Sequence, residues 1–114
     1  FFTNSHTSEY IKKKWSDTYS IIAEEKNKII GVARGKKDGW NTHLFVNKKY
    51  RKRGIGKTLL KKIEEWQKNI GNKKIYLNSS PFALSFYENQ GYKKIGEKNY
   101  HNGIPIFYME KEIK

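Results

Sequence analysis

The sequence contains no cysteine, and that absence narrows the chemistry open to the chain. Without cysteine it forms no disulfide, has no cysteine nucleophile and offers no thiolate ligands of the zinc-finger type. It also lacks any apolar run of about 18 residues and any signal-peptide pattern, so we predict neither a membrane span nor secretion. These absences fit a cytoplasmic protein.

Acidic residues are also few, with 11 against 24 lysines and arginines, which gives a formal net charge of +13. Such an excess raises nucleic acid as a partner. Bidentate contacts to phosphate groups and hydrogen bonds to base edges are made preferentially by arginine. The only arginines here are Arg34, Arg51 and Arg53. The lysines are scattered in pairs such as Lys36-Lys37 and Lys73-Lys74. A solvated, lysine-rich surface is therefore favoured, and a basic nucleic-acid- or ribosome-associated module without catalysis is kept as the alternative.

The length of 114 residues, without internal repeats or linkers, predicts one domain over residues 1–114. Strand-like segments separated by short turns predict an antiparallel meander over Tyr19–Glu24, Ile29–Arg34 and Trp40–Val46. A helix then follows over Ile55–Lys68. Apolar residues at helical spacing predict its core-facing stripe, which consists of Ile55, Leu59, Leu60, Ile63, Trp66 and Ile70.

The sequence of the second half of the chain predicts a parallel strand and a second helix. Because a crossover helix connects them, Ile75–Leu77 should run parallel to Leu44–Val46. Ser80 suits the N-cap of the next helix and Pro81 its first position. Two strands complete the pattern, over Tyr92–Glu97 and Ile104–Lys111.

Ahead of the meander, the sequence predicts only a helical piece over Ser8–Trp15, and we expect that a first N-terminal strand is missing. The expected fold class is α+β. An antiparallel meander is followed by a βαβ-type parallel pair in a mixed sheet, with helices on both faces.

The segment from Arg51 to Lys57 joins the third meander strand to the first helix. Gly54 and Gly56 let the backbone turn tightly and approach a ligand closely. The first helical turn presents unpaired N–H groups and the positive end of the helix dipole, and four basic side chains lie in or beside the loop. The pattern predicts an anion-binding site, and phosphate is the group that such sites usually bind.

Two well-known phosphate loops do not match this segment. A P-loop needs a glycine where Arg51 stands, and the dinucleotide pattern needs a third glycine where Leu59 stands. The spacing Arg51-x-x-Gly54-x-Gly56 instead resembles the pyrophosphate loop of the GNAT family of N-acetyltransferases, which reads R/Q-x-x-G-x-G/A.

A second segment further along the chain resembles another signature of the same family, N-x-x-A-x-x-x-Y-x-x-x-G-F. Ala83, Tyr87 and Gly91 match its spacing, and Tyr92 takes the place of the final aromatic residue. Ser80 stands where the family usually has asparagine, which is a departure. Taken without the family, the segment predicts a capped amphipathic helix with Tyr87 as a core aromatic residue.

The resemblance covers most of the chain and implies an acetyl-CoA-dependent N-acetyltransferase acting on a primary amine of a small molecule or protein. It implies that the third meander strand and the next parallel strand splay apart, and that the pantetheine arm bonds to backbone groups of Leu44, Phe45 and Val46. The pyrophosphate would bind the loop residues Arg51, Lys52, Arg53, Gly54, Ile55, Gly56 and Lys57. Asn78 and Ser80 would bond the pantetheine or place a water.

The resemblance also implies how the acetyl group is transferred. Tyr87 would protonate the departing thiolate, because a phenol stays protonated at neutral pH. The acceptor amine would attack the thioester carbonyl directly, so neither a nucleophilic residue nor a metal is expected.

The sequence does not identify the general base. Trp40 stands where many members of the family have glutamate or histidine, and it cannot accept a proton. By simple alternation His43 lies on the face opposite Leu44 and Val46, unless a bulge rotates it, and a structural role is favoured for it. A water-relayed base is the default, and a cofactor-binding protein without catalysis is a further alternative. An aromatic acceptor pocket would use Trp15, Trp40, Phe82 and Tyr100, and an exposed final strand would allow a homodimer.

Overall fold

The computed structural model describes residues 9–15, 17–51, 54–96 and 98–113. In this part of the chain the elements follow in the order β1 (Glu9–Trp15), β2 (Thr18–Glu25), β3 (Lys28–Lys36), β4 (Asn41–Val46), a 3₁₀ turn (Lys48–Tyr50), α1 (Ile55–Asn69), β5 (Lys74–Ser79), α2 (Leu84–Asn89), β6 (Lys93–Lys94), β7 (Asn99–His101) and β8 (Ile104–Glu112). Strands β1 to β4 form one sheet in chain order, and β5, β8 and β6 form a second, with β7 also paired to β8. Among the described residues, no helix is long and apolar enough to cross a membrane.

The predicted meander is confirmed as the antiparallel strands β2, β3 and β4. Lys26 and Asn27 both have positive φ, as the favoured two-residue hairpin turn requires. The helix predicted over Ser8–Trp15 is wrong, because Glu9–Trp15 is a strand that pairs antiparallel with β2 along its whole length. The three lysines in β1 have a good helix propensity, but pairing with β2, which contains β-branched and apolar residues, outweighs it. That a further strand is missing stays a prediction.

Helix α1 packs its predicted stripe against the first sheet. Its buried side chains are at most 2% exposed, and they are Ile55, Leu59, Leu60, Ile63 and Gln67. Trp66 is half-buried and stacks on Tyr19, with ring centroids 4.7 Å apart. Ile70 was wrongly assigned to the core, because it lies beyond the helix end and is 44% exposed. The close approach of helix and sheet depends on Gly31, where a Cβ would lie 2.9 Å from Leu59 Cδ1.

The two sheets meet at one parallel bridge within the described residues, between Trp40 and Tyr76. There the Tyr76 N–H donates to the Gly39 carbonyl at 3.0 Å. Beyond the bridge β4 and β5 diverge, so Leu44–Val46 and Ile75–Leu77 run parallel as predicted without pairing, and the splay that the resemblance implied is present. The register of β4 explains the divergence. Gly35 pairs with Asn41 but Arg34 pairs with His43, so Thr42 is an additional residue, and a bulge of this kind bends its strand.

The segment after β5 forms a turn before its helix. Helix α2 begins at Leu84 and not at Pro81, because the Ala83 N–H turns back to the hydroxyl and the carbonyl of Ser80, at 3.2 and 3.3 Å. The helix closes at Gly91, which has the predicted left-handed φ of 96°. The strand predicted over Tyr92–Glu97 is reduced to Lys93–Lys94, whereas the final strand is confirmed as β8.

Both described helices contribute side chains to one hydrophobic core. That core includes Leu59 and Ile63 of α1, Tyr87 of α2 and Leu77 of β5. The opposite face of the second sheet carries the half-buried rings of Tyr76 and Tyr108. The prediction of helices on both faces is therefore not met in the described residues, while the mixed α+β architecture is confirmed.

Candidate active site

The divergence of β4 and β5 opens two connected cavities. The larger, of about 610 Å³, lies between the end of β4, the loop before α1 and the start of α2, and we call it the outer cleft. The smaller, of about 280 Å³, lies between the bulged part of β4 and β5, and we call it the inner cavity. Leu44, Ser80, Ala83 and Tyr87 line both spaces. The outer cleft has the size of a small-molecule pocket, and a ligand lying along it reaches the inner cavity at Tyr87.

Strand β4 presents a free backbone edge to the outer cleft. The Asn47 N–H donates to the Ile30 carbonyl at 2.7 Å, so this residue directs its amide toward β3. Because successive residues of a strand direct their N–H and C=O groups to opposite edges, Phe45 also faces β3, while Leu44 and Val46 face the cleft. Of the three predicted strand residues, Leu44 therefore offers its N–H and C=O to a ligand and Val46 its N–H, since the Val46 carbonyl accepts from Arg51 Nε at 3.4 Å. Phe45 instead lines the inner cavity with a side chain that is 55% exposed.

The predicted anion loop lies at the mouth of the outer cleft. Gly54 has φ of 78° and is the N-cap of α1, whose first internal bond runs from the Thr58 N–H to the Gly54 carbonyl at 3.0 Å. The amides of Ile55, Gly56 and Lys57 precede that bond and have no partner inside the helix. Arg51, Gly54, Ile55, Gly56 and Lys57 all line the cleft, and the first turn of α1 has no acidic residue. Lys52 and Arg53 lie outside the described residues.

The surroundings of Gly56 indicate whether a diphosphate fits the anion loop. A Cβ at this position would lie 3.4 Å from Val46 Cγ2 and 3.7 Å from Phe86 Cζ, so any longer side chain would extend into the cleft wall. The helical amides that lack an internal partner, the backbone of Gly56 without a side chain, and the cations of Arg51 and Lys57 together form a donor set suited to a diphosphate. The residues present therefore fit a group that carries one.

Tyr87 lies where the two cavities join. It is 9% exposed, and its ring meets Phe86 and Tyr92 edge-on, with centroids 5.3 and 5.6 Å away. Burial raises the pKa of the Tyr87 phenol from 10.0 to about 12. The hydroxyl is therefore a stable donor at neutral pH, placed beside the space that a ligand in the outer cleft would reach.

Asn78, on β5, and Ser80, which follows β5, lie near the same junction. Asn78 is exposed and lines the inner cavity, while Ser80 lines both spaces. The structure thus brings Ser80 to both cavities and Asn78 to the inner cavity, although the Ser80 hydroxyl is also used to close the turn to Ala83. Phe82, from the same turn, lines the outer cleft and is 96% exposed.

The bulge of β4 brings three consecutive polar residues, Asn41, Thr42 and His43, to the inner cavity. His43 is exposed and its Nδ1 lies 3.0 Å from the Thr42 hydroxyl; the structural role that we favoured from the sequence stays a prediction. Asn41 and Thr42 were not predicted as site residues. The available signal was an unbroken polar run inside a strand, where alternation predicts an apolar residue.

The other predicted candidates lie elsewhere. Trp40 packs against Tyr76 and Tyr108, with ring centroids 5.7 and 5.6 Å away. Tyr100 is 64% exposed on β7 and lines neither cavity. The Trp15 side chain and His6 lie outside what the structure describes, and the described residues contain no cluster of metal-ligating side chains.

Comparison with known proteins gives a consistent set of relatives. A family model described as "Acetyltransferase (GNAT) domain" matches residues 1–113. The uncharacterized protein YyaT of Bacillus subtilis is 30% identical over 121 residues, which cover 99% of this chain and 82% of YyaT. The uncharacterized N-acetyltransferase YjcF of the same organism is 28% identical, with 96% of this chain and 81% of YjcF covered.

Solved structures agree. An acetyltransferase from Bacillus cereus superposes with a TM-score of 0.77 at 28% identity, covering 84% of this chain and 73% of its own. The PaiA N-acetyltransferase from Thermoplasma acidophilum, solved in complex with coenzyme A, superposes with a TM-score of 0.71 at 26% identity. That match covers 85% of this chain and 62% of the T. acidophilum chain.

Proposed function

Because the chain belongs to the GNAT family of acetyltransferases, we propose that it transfers an acetyl group from acetyl-CoA to a primary amine of a small molecule or protein. The observation that carries the proposal is the convergence of a free strand edge, an anion loop and a buried tyrosine on one cleft. Each of the three matches a different part of the donor molecule.

The chain's own groups divide the binding of the donor between them. The amides of Ile55, Gly56 and Lys57, with the cations of Arg51 and Lys57, would hold the diphosphate. The free edge of Leu44 and Val46 would bond the amides of the pantetheine arm, as one strand bonds another. Asn78 and Ser80 would hold the end of the arm or a water near it. When bound, acetyl-CoA supplies the acetyl group in activated form, as a thioester.

Tyr87 would assist departure of the thiolate. Its phenol, with a pKa of about 12, stays protonated at neutral pH and donates a hydrogen bond where negative charge develops on sulfur. Because a thiol, with an ordinary pKa of about 8.5, is more acidic than this phenol, Tyr87 stabilises the departing thiolate by its hydrogen bond and not by complete proton transfer. The proton that finally neutralises the thiolate comes from solvent or from the group that has deprotonated the amine.

His43 is our candidate for that group. Among the described residues lining the two cavities it is the one imidazole, and none of them has a carboxylate. In the tautomer whose Nδ1–H donates to the Thr42 hydroxyl, Nε2 is left to accept a proton from the amine, directly or through a water. We expect His43→Gln to lower kcat/KM by at least tenfold. The exposed His101, which lines neither cavity, provides the control His101→Gln. An unchanged kcat/KM in His43→Gln would restore the water-relayed base.

The reaction itself is tested by following thiol release from acetyl-CoA with a panel of primary amines, and by identifying the products by mass spectrometry. The proposal predicts one N-acetyl product for each thiol released. Thiol release without an amide would indicate hydrolysis. If no amine is acetylated and RNA binding falls steeply with salt, the nucleic-acid alternative would replace the proposal.

A further inference from the structure

A chain of three side-chain amides runs from a surface turn to the inner cavity. Asn72 Nδ2 donates to the Lys37 carbonyl at 2.9 Å and to Gln67 Oε1 at 2.6 Å. Gln67 Nε2 donates to the Lys36 carbonyl at 3.0 Å and to Asn41 Oδ1 at 3.3 Å. Backbone carbonyls only accept hydrogen bonds, so they fix the orientation of the Asn72 and Gln67 amides, and Gln67 then fixes that of Asn41.

This orientation leaves Asn41 Nδ2 as a donor that must find its partner elsewhere. The atom is buried, and no hydrogen-bond acceptor within the described residues reaches it. Asn41 is 9% exposed and lines the inner cavity. Folded proteins leave few buried hydrogen-bond donors without an acceptor. A buried donor held beside a cavity therefore indicates that a ligand or water in that cavity supplies the acceptor.

The lining of the inner cavity restricts what that ligand is. Its other polar side chains are Thr42, His43, Asn78, Ser80 and Tyr87, and the described lining includes no carboxylate, lysine or arginine. A second ammonium group would find no counter-charge there, and neither would a carboxylate. The volume of about 280 Å³ corresponds to on the order of nine water molecules. The cavity therefore suits a small group that carries a neutral oxygen.

We propose that the inner cavity is the acceptor subsite, and that Asn41 Nδ2 donates a hydrogen bond to a neutral carbonyl or amide oxygen of the acceptor. The inference rests on the proposed acetyl transfer and specifies its substrate class: small primary amines with such an oxygen at the far end. Asn41 lies three residues before Leu44, which is about 10 Å along a regular strand and less here because of the bulge at Thr42. A short alkyl chain thus separates the oxygen from the amine that reacts beside Tyr87.

Matched series of amines test the subsite. The kcat/KM of unbranched ω-aminocarboxamides, in which a short run of methylene groups separates the primary amine from the carboxamide, is compared with that of n-alkylamines and diaminoalkanes of equal length. We expect the wild type to prefer the aminocarboxamide by at least tenfold at the optimal length, because the other amines leave the Asn41 donor unmet. Asn41→Leu should reduce that preference below about threefold without changing the Kd of acetyl-CoA.

Asn41→Asp gives a sharper outcome. The aspartate retains an acceptor for Gln67 and replaces the donor by a carboxylate oxygen, so the order of preference should change to favour diaminoalkanes. The exposed Asn89 on α2 provides the control Asn89→Asp, which should leave the order unchanged. Thermal melts verify that each variant folds. If Asn41→Leu does not fold, the comparison of Asn41→Asp with the wild type decides.

A readout independent of turnover separates the two proposals. In ¹⁵N-labelled protein the Asn41 side-chain amide is identified by its absence from Asn41→Leu, and aminocarboxamide is added with coenzyme A present. We expect a downfield proton shift that saturates. If no amine is acetylated but the resonance still shifts, the proposed reaction fails and the subsite stands. Equal turnover of the three series, or an Asn41 resonance that the aminocarboxamide does not move, would overturn the subsite.

Discussion

Replacing Tyr87 by phenylalanine removes one oxygen from the junction of the two cavities and keeps the ring. The edge contacts of that ring with Phe86 and Tyr92 persist, so we expect the core to remain intact. Tyr87 therefore allows the contribution of one hydroxyl to the reaction to be measured separately from its contribution to folding.

The expected kinetic effect follows from the role of the hydroxyl. A positioned acid or base typically contributes roughly 10²- to 10⁴-fold in rate, and a factor of ten corresponds to about 1.4 kcal/mol of barrier. We predict that kcat falls at least tenfold in Tyr87→Phe, while the Kd of acetyl-CoA changes by less than about threefold. The affinity is preserved because the anion loop and the β4 edge, which would provide most of the binding, are untouched.

The same substitution has a consequence for stability at high pH. The unfolded phenol titrates at 10.0 and the folded one at about 12, so between these values the unfolded state releases a proton that the folded state keeps. The unfolding free energy therefore falls as the pH rises from 10 to 12, by about 3 kcal/mol for this residue, and the contribution is present in full below pH 10. Burial also raises the pKa of Tyr10 and Tyr92, so Tyr87→Phe should remove part of the alkaline loss and not all of it.

Steady-state kinetics with acetyl-CoA and an accepted amine measures the first effect, and urea melts between pH 8 and 12 measure the second. Tyr19→Phe is the control, because Tyr19 stacks on Trp66 and lines neither cavity. Wild-type kcat in Tyr87→Phe would refute the acid role of Tyr87. An unchanged alkaline slope would refute the statement that burial perturbs its phenol.

Two further substitutions test the packing around the site. Gly31→Ala places a Cβ 2.9 Å from Leu59 Cδ1 and should destabilise the fold by about 1–3 kcal/mol in urea melts; a stability indistinguishable from that of the wild type would contradict the close approach of α1 and β3. Glu64→Leu removes the carboxylate that accepts from the Tyr92 hydroxyl at 2.8 Å and from Lys111 Nζ at 3.2 Å, so we expect a loss of about 2–3 kcal/mol. An unchanged melting temperature for Glu64→Leu would mean that this bridge between α1 and β8 does not contribute to stability.

Local signals predicted much of the fold and the outer cleft. The meander follows from short alternating segments with turn residues between them, and α1 follows from an apolar stripe at helical spacing. The loop from Arg51 to Lys57 was found because two glycines and a helix start form an anion site from adjacent residues. Tyr87 was found from its spacing to Ala83 and Gly91, which the end of α2 preserves.

Features that depend on distant partners were not predicted. β1 is a strand because it pairs with β2, and its own lysine-rich sequence gave no sign of this. The splay of β4 and β5 was implied by the resemblance, but the bulge on which it depends shows only as a register shift against β3. The amide chain joins Asn41, Gln67 and Asn72 with Lys36 and Lys37, groups from three parts of the chain that meet only after folding. The inner cavity, and with it the proposed acceptor subsite, was for this reason absent from the sequence analysis.

The most direct test of the central claim, that the outer cleft holds acetyl-CoA, is a thermal-shift titration of the wild-type protein. A ligand at a hundred times its Kd adds about 2.7 kcal/mol to native stability, which a melt resolves. ADP, which lacks the pantetheine arm, is the ligand control. Gly56→Leu is the protein control, because its side chain would extend toward Val46 and Phe86 in the cleft wall. We predict saturable stabilisation by acetyl-CoA that ADP and Gly56→Leu do not reproduce. A folded wild-type protein whose melting temperature acetyl-CoA leaves unchanged would contradict the account.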